Sequence, residues 1–124
     1  MTALPDLRMA GVIAIDLFSI DVAIFRSEKA RHKVLRKQGC DDLDRHSDAA
    51  LASAHRDFTA SGQVRFSMVI KPEASLGTWA HECSHMADFI LDHFHIPLGI
   101  ENTEIRAYLI GYLFDNLIKC GALS

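Results

Sequence analysis

A chain of 124 residues, 49% hydrophobic and 23% charged, is long enough for one domain with a core of its own and too apolar for a disordered segment. Its formal net charge of −3 gives no global pull toward nucleic acid or an anionic membrane surface. Cys40, Cys83 and Cys120 are odd in number and contain no C-x-x-C pair, so neither a disulfide framework nor a cysteine-based zinc site is suggested.

In chain order, Met9 to Phe18 is short and holds Asp16, too poor for a signal peptide or a membrane span, so a reducing, cytoplasmic setting is expected. Val12 to Phe25 is dense in Val, Ile and Phe, broken by Asp16, Ser19 and Asp21, and reads as one or two strands. Ser27 can cap a helix running to about Gln38 and stopped by Gly39. Arg26, Lys29, Arg31, Lys33, Arg36 and Lys37 crowd this stretch, and Asp41, Asp42, Asp44 and Asp48 follow it. No aromatic residue interrupts the basic run, so a solvated face is expected rather than a stacking platform for nucleic acid.

Alanines favour helix around Ser47 to His55, although the residues beyond suggest a hairpin. Phe58 and Thr59 lead into the turn-forming Ala60-Ser61-Gly62, and Gln63 to Ile70 then alternates as a strand that Pro72 ends. After Gly77 the period changes. Trp79, Cys83, Met86, Ile90 and Phe94 mark an amphipathic helix capped by Thr78 or Ser75 and broken by His95-Ile96-Pro97-Leu98-Gly99. A last helix begins near Asn102 or Thr103, buries Ile105, Leu109, Tyr112, Leu113 and Leu117, and ends at Gly121. With no repeat or Pro/Gly-rich linker, residues 1–124 form one α+β domain, a helical pair packed on a small sheet.

The chemistry is concentrated in His81-Glu82-Cys83-Ser84-His85. Histidines four apart on a helix point from one face about a turn apart, which lets two imidazole nitrogens reach one zinc ion at about 2.0–2.1 Å. Glu82 then lies beside the metal, where it can take a proton from a metal-activated water. A hydrolytic zinc needs a third protein ligand and an open position. His93 and His95 lie too far along the axis at about 1.5 Å per residue. The eight-residue link His95 to Asn102 can span up to about 27 Å, enough to start the last helix beside His85. Glu104 in its first turn is the favoured third ligand, with Glu101 as the rival.

The pattern His81-Glu82-Cys83-Ser84-His85, followed by Glu104-Ile105-Arg106-Ala107-Tyr108, resembles the glutamate-liganded zincins, and in particular small metallopeptidase-like proteins of phages and prophages. The resemblance covers about residues 62–119. It implies a zincin-like domain in which His81, His85 and Glu104 bind Zn2+ and Glu82 acts as base and later proton donor. The strand Gln63 to Ile70 would lie along the cleft and pair with an extended protein or peptide substrate. Many gluzincins carry an aspartate four residues after the ligand glutamate. Here Tyr108 stands there, to accept a histidine N–H or to steady the oxyanion. The expected function is a small zinc metallopeptidase. The alternative is a catalytically degenerate zincin-fold protein that binds a host or phage partner.

The remaining polar residues have plainer readings. Cys83 follows the apolar stripe and is expected in the core. Asp88 is a second-layer partner of His85 or a solvated carboxylate. His32, His46, His55, His93 and His95 are expected on the surface or in loops, and neither a nucleic acid nor a membrane is an expected partner.

Overall fold

The computed structural model describes residues 9–43 and 50–122. β1 (Met9–Ile15) and β2 (Ile20–Phe25) form an antiparallel hairpin. A 3-10 turn over Asp16–Phe18 joins them, closed by Ser19 in the left-handed region at φ 52°. Two strands are thus present where the Val/Ile/Phe-rich stretch allowed one or two. α1 (Glu28–Lys37) starts where the Ser27 side chain accepts a hydrogen bond from the Ala30 N–H at 3.1 Å. It stops just before Gly39, whose φ of 92° is open to glycine without the penalty a Cβ would bring.

β3 (Ala52–Phe58) and β4 (Val64–Ile70) form a second antiparallel hairpin, in register from Ala52↔Ile70 to Phe58↔Val64. The helix suggested around Ser47 to His55 is therefore a strand from Ala52 onward; residues 44–49 lie outside those described. Alanine propensity is a weak preference, and seven cross-strand partners on β4 override it.

The sheet order is β1-β2-β4-β3, with β2 and β4 parallel. β4 is therefore a central strand, not the open strand of a cleft, which corrects the expectation for Gln63 to Ile70. The physical reason is its burial. Phe66, Ser67, Met68, Val69 and Ile70 are all buried in succession, so the strand needs cover on both faces and a neighbour on both sides. The terminal strand on that side is β3.

α2 (Leu76–His93) and α3 (Thr103–Ala122) cover one face of the sheet. Ile13, Ile15, Val22, Ile24, Phe66, Met68 and Ile70 meet Cys83, Met86, Ala87, Ile90 and Leu91 of α2 and Leu109, Leu113 and Leu117 of α3 in one buried cluster. Each large side chain buried there stabilises the fold by about 1.5–3 kcal/mol. α1 covers part of the other face, where Phe25, Ala30, Val34 and Val69 form a smaller cluster. The architecture of the described residues is α+β: a four-stranded mixed sheet with three α-helices. Among the described residues, no helix is long and apolar enough to cross a membrane.

Candidate metal centre

Ser75, one of the two capping candidates, starts α2 by accepting the Thr78 N–H at 3.2 Å. The helix then turns its Cys83, Met86, Ala87, Ile90 and Leu91 side onto the sheet. At 100° per residue, His81 and His85 fall on the opposite side, and both are exposed. Their Nε2 atoms face each other at 3.1 Å, with the rings edge to face. Two nitrogens bound tetrahedrally to one zinc would stand about 3.3 Å apart. The pair is already at ligand spacing. Adding a Glu82 carboxylate oxygen gives a set of three ligand atoms all within 4.8 Å of one another.

Glu82 is only half exposed because it turns toward β3. With His85 and Phe89 it forms one wall of a groove of about 430 Å³, whose other wall is Ala52 to Arg56. A larger hollow of about 550 Å³ lies beside β1, β2 and the end of α1, lined by residues such as Val12, Asp21, Gln38 and Arg65. It contains no cluster of metal-binding side chains among the described residues. Size is outweighed here by chemistry, and the smaller groove is the candidate site.

The other anticipated residues are placed differently. Glu104 is exposed in the first turn of α3 and is not part of the three-residue cluster. Arg106, two positions on, is the residue that faces α2: its Nε donates to Asp88 at 2.8 Å and its Nη2 to Ser84 at 2.7 Å. Residues two apart on a helix point about 200° apart, so Arg106 toward α2 directs Glu104 away from that contact. Glu101 sits in the 3-10 turn Ile100–Asn102, its carboxylate folded toward Gly99. Tyr108 is half exposed and stacks on Tyr112 at 5.9 Å, and Tyr112 donates its hydroxyl to the Ala14 carbonyl. Among the described residues Tyr108 makes no hydrogen bond to either histidine. Asp88 belongs to the Arg106 pair, so of its two readings neither a lone solvated carboxylate nor a direct histidine contact is what it displays.

Cys83 is fully buried, and burial together with the nearby Glu82 pushes its thiol up to about 12, consistent with a core residue.

The sequence also concealed a second polar cluster, on the other side of the sheet. Arg31 is completely buried; its Nη1 donates to Asp57 at 2.7 Å and its Nε to Glu28 at 2.7 Å. His32 meets Glu28 at 2.8 Å, and His55, 3% exposed, lies 2.7 Å from Ser53 Oγ. His55 is therefore no surface residue, and His32 is half-buried. His93 is also only half exposed, its ring edge-on to Phe66. The signal for His55 was available: Ser53, His55 and Asp57 alternate with Ala52, Ala54 and Arg56, the period of a strand with a polar inner face.

No protein-family model, curated protein or solved structure matches this chain. Its function has to be argued from the site.

Proposed function

We propose that the chain is a small zinc-dependent peptidase of the zincin type, with His81 and His85 holding the metal and Glu82 as general base. One observation carries this reading: two exposed imidazole Nε2 atoms 3.1 Å apart with a carboxylate in the same cluster. Two imidazole nitrogens at this spacing suit zinc better than magnesium or calcium, which take oxygen ligands. When bound, such an ion would lower the pKa of a water to about 7 and polarise a carbonyl. Glu82 borders the groove beside His85, so it can accept a proton there and return it to a leaving amine. Glu104 is the third ligand proposed from the sequence, and its exposed side chain would have to turn from its present direction to serve.

Peptide as substrate is supported by the groove itself. It runs between α2 and the terminal strand β3, where an extended chain can lie along the sheet. β3 takes the part that the sequence reading gave to Gln63–Ile70.

A second reading, a degenerate zincin-like protein that binds a partner without turnover, is favoured by Glu104 standing outside the cluster. The deciding experiment compares wild type, Glu82→Gln, His85→Ala and Glu104→Gln for zinc content and for cleavage of a peptide mixture. The peptidase reading expects one zinc per chain, lost in His85→Ala, weakened in Glu104→Gln and kept in Glu82→Gln, with cleavage only in wild type. Zinc binding without cleavage would favour the partner-binding protein. Absence of zinc binding by wild type would sink the peptidase reading and leave the partner-binding protein as the better account.

A further inference from the structure

The groove that begins at Glu82 and His85 ends at a cation. α2 and β3 run in the same direction along it: Arg56 meets Phe89 and Asp92, and Phe58 meets His93 with ring centroids 6.3 Å apart. Its β3 wall carries Ala52 and Ala54 before Arg56, so short side chains leave room for a peptide along most of its length.

We propose that Arg56 is the specificity-determining residue of this groove and receives a carboxylate of the bound peptide, two or three residues from the bond presented to Glu82. The inference rests on the peptide reading given above. The guanidinium is held in place but not used up. Its Nη1 donates to the Phe89 carbonyl at 3.3 Å and to Asp92 Oδ2 at 2.8 Å, and its carbon lies 5.6 Å from the centroid of the Phe89 ring. Nε and Nη2 make no hydrogen bond among the described residues. Those two nitrogens form one edge of the planar fork, the edge that takes a carboxylate through two parallel hydrogen bonds.

The Asp92 pair does not stand in the way. The Asp92 side chain is 74% exposed against 25% for Arg56, so this is a surface ion pair, a weak tie that positions Nη1. Among the described residues, Asp92 is the acidic side chain that pairs with Arg56.

Spacing sets the position of the carboxylate. Phe89 and Asp92 lie four and seven residues beyond His85, or about 6 and 10 Å along the helix. An extended peptide advances about 3.3 Å per residue, so Arg56 stands two or three residues from the metal-facing bond. An Asp or Glu side chain at that position and a free C-terminus offer the same chemistry.

The test is equilibrium binding to the zinc-loaded Glu82→Gln protein, which removes the base and so the turnover. The probes are fluorescein-labelled hexapeptides of neutral sequence with Glu or Gln at each position in turn, each made with a free or an amidated C-terminus. Peptides with a carboxylate at the right distance are expected to bind about ten- to a hundredfold tighter than their neutral counterparts. A preference for Glu among amidated peptides assigns a side chain, and a preference for the free terminus assigns a chain end; either supports the proposal. Adding Arg56→Met should remove the advantage, Arg56→Lys should remove most of it by losing the fork, and Asp92→Asn should keep or increase it. Equal binding of charged and neutral peptides would overturn the proposal. So would an advantage that survives in both Arg56 variants, or the absence of peptide binding. Cleavage of the same peptides by wild type is read separately by mass spectrometry. Its absence would sink the peptidase reading, while the binding preference would still decide the role of Arg56.

Discussion

On one side of the sheet the buried Arg31, His55 and Asp57 join the partly buried Glu28; on the other, His81, Glu82 and His85 cluster with both histidines exposed. Both sets contain histidine and glutamate. What separates them is where their hydrogen-bonding capacity goes. In the first, a guanidinium sits between two carboxylates, Glu28 and Asp57, and ties α1 to β3. In the second, two nitrogens stand at ligand spacing on the outside of α2 with a carboxylate in the same cluster, and no arginine or lysine pairs with them among the described residues. A closed cluster stabilises the fold, whereas an exposed and convergent one can bind. Histidine count alone would not have distinguished them.

The largest expected effect breaks the closed cluster. Arg31→Met leaves the buried Asp57 and the partly buried Glu28 without their guanidinium and should destabilise the protein by about 3–5 kcal/mol, read as a lower urea midpoint. His81→Ala, on an exposed helix face, should change stability by only about 0.5 kcal/mol in the same assay. A comparable loss in both variants would erase the distinction between the clusters.

Zinc sharpens the contrast from the other direction. Metal at about 100 to 1,000 times its dissociation constant should stabilise wild type by about 2.7–4.1 kcal/mol, and His81→Ala or His85→Ala should abolish that gain. Arg31→Met, to the extent that it folds, should keep it. Thermal unfolding with and without zinc measures this, and a zinc response that persists in both histidine variants would place the metal elsewhere.

Smaller effects test how rigidly α2 is held. Ser75→Ala removes the bond to the Thr78 N–H and should cost about 1 kcal/mol. Arg106→Ala removes a half-exposed pair to Asp88 and the bond to Ser84, and should cost about 1 kcal/mol or less. Hydrogen exchange should show the first loss at the start of α2 and the second where α3 meets it. Delocalised change in both would mean that α2 is held chiefly by its apolar side.

The local elements were legible because their signals are local. Ser27 and Ser75 cap the helices they precede, Gly39 follows the end of α1, and the three- and four-residue spacing from Trp79 to Ile90 predicts the buried side of α2. The same spacing puts His81 and His85 on one face, so the two-histidine pair was readable from five residues. The strand over Ala52–Phe58 was harder, since alanine favours helix and only its partners on β4 make it a strand.

What the sequence determined by itself is therefore the α+β content, most of the caps and the convergent histidines, all of which depend on residues within a few positions of one another. Tertiary structure alone decided that β4 is central and β3 terminal, because strand order depends on which faces find cover. It decided that Arg106 rather than Glu104 faces α2, a matter of how α3 is rotated about its axis. It also decided that Arg56 ends the groove that Glu82 begins, since those residues are 26 positions apart and meet only when β3 runs beside α2.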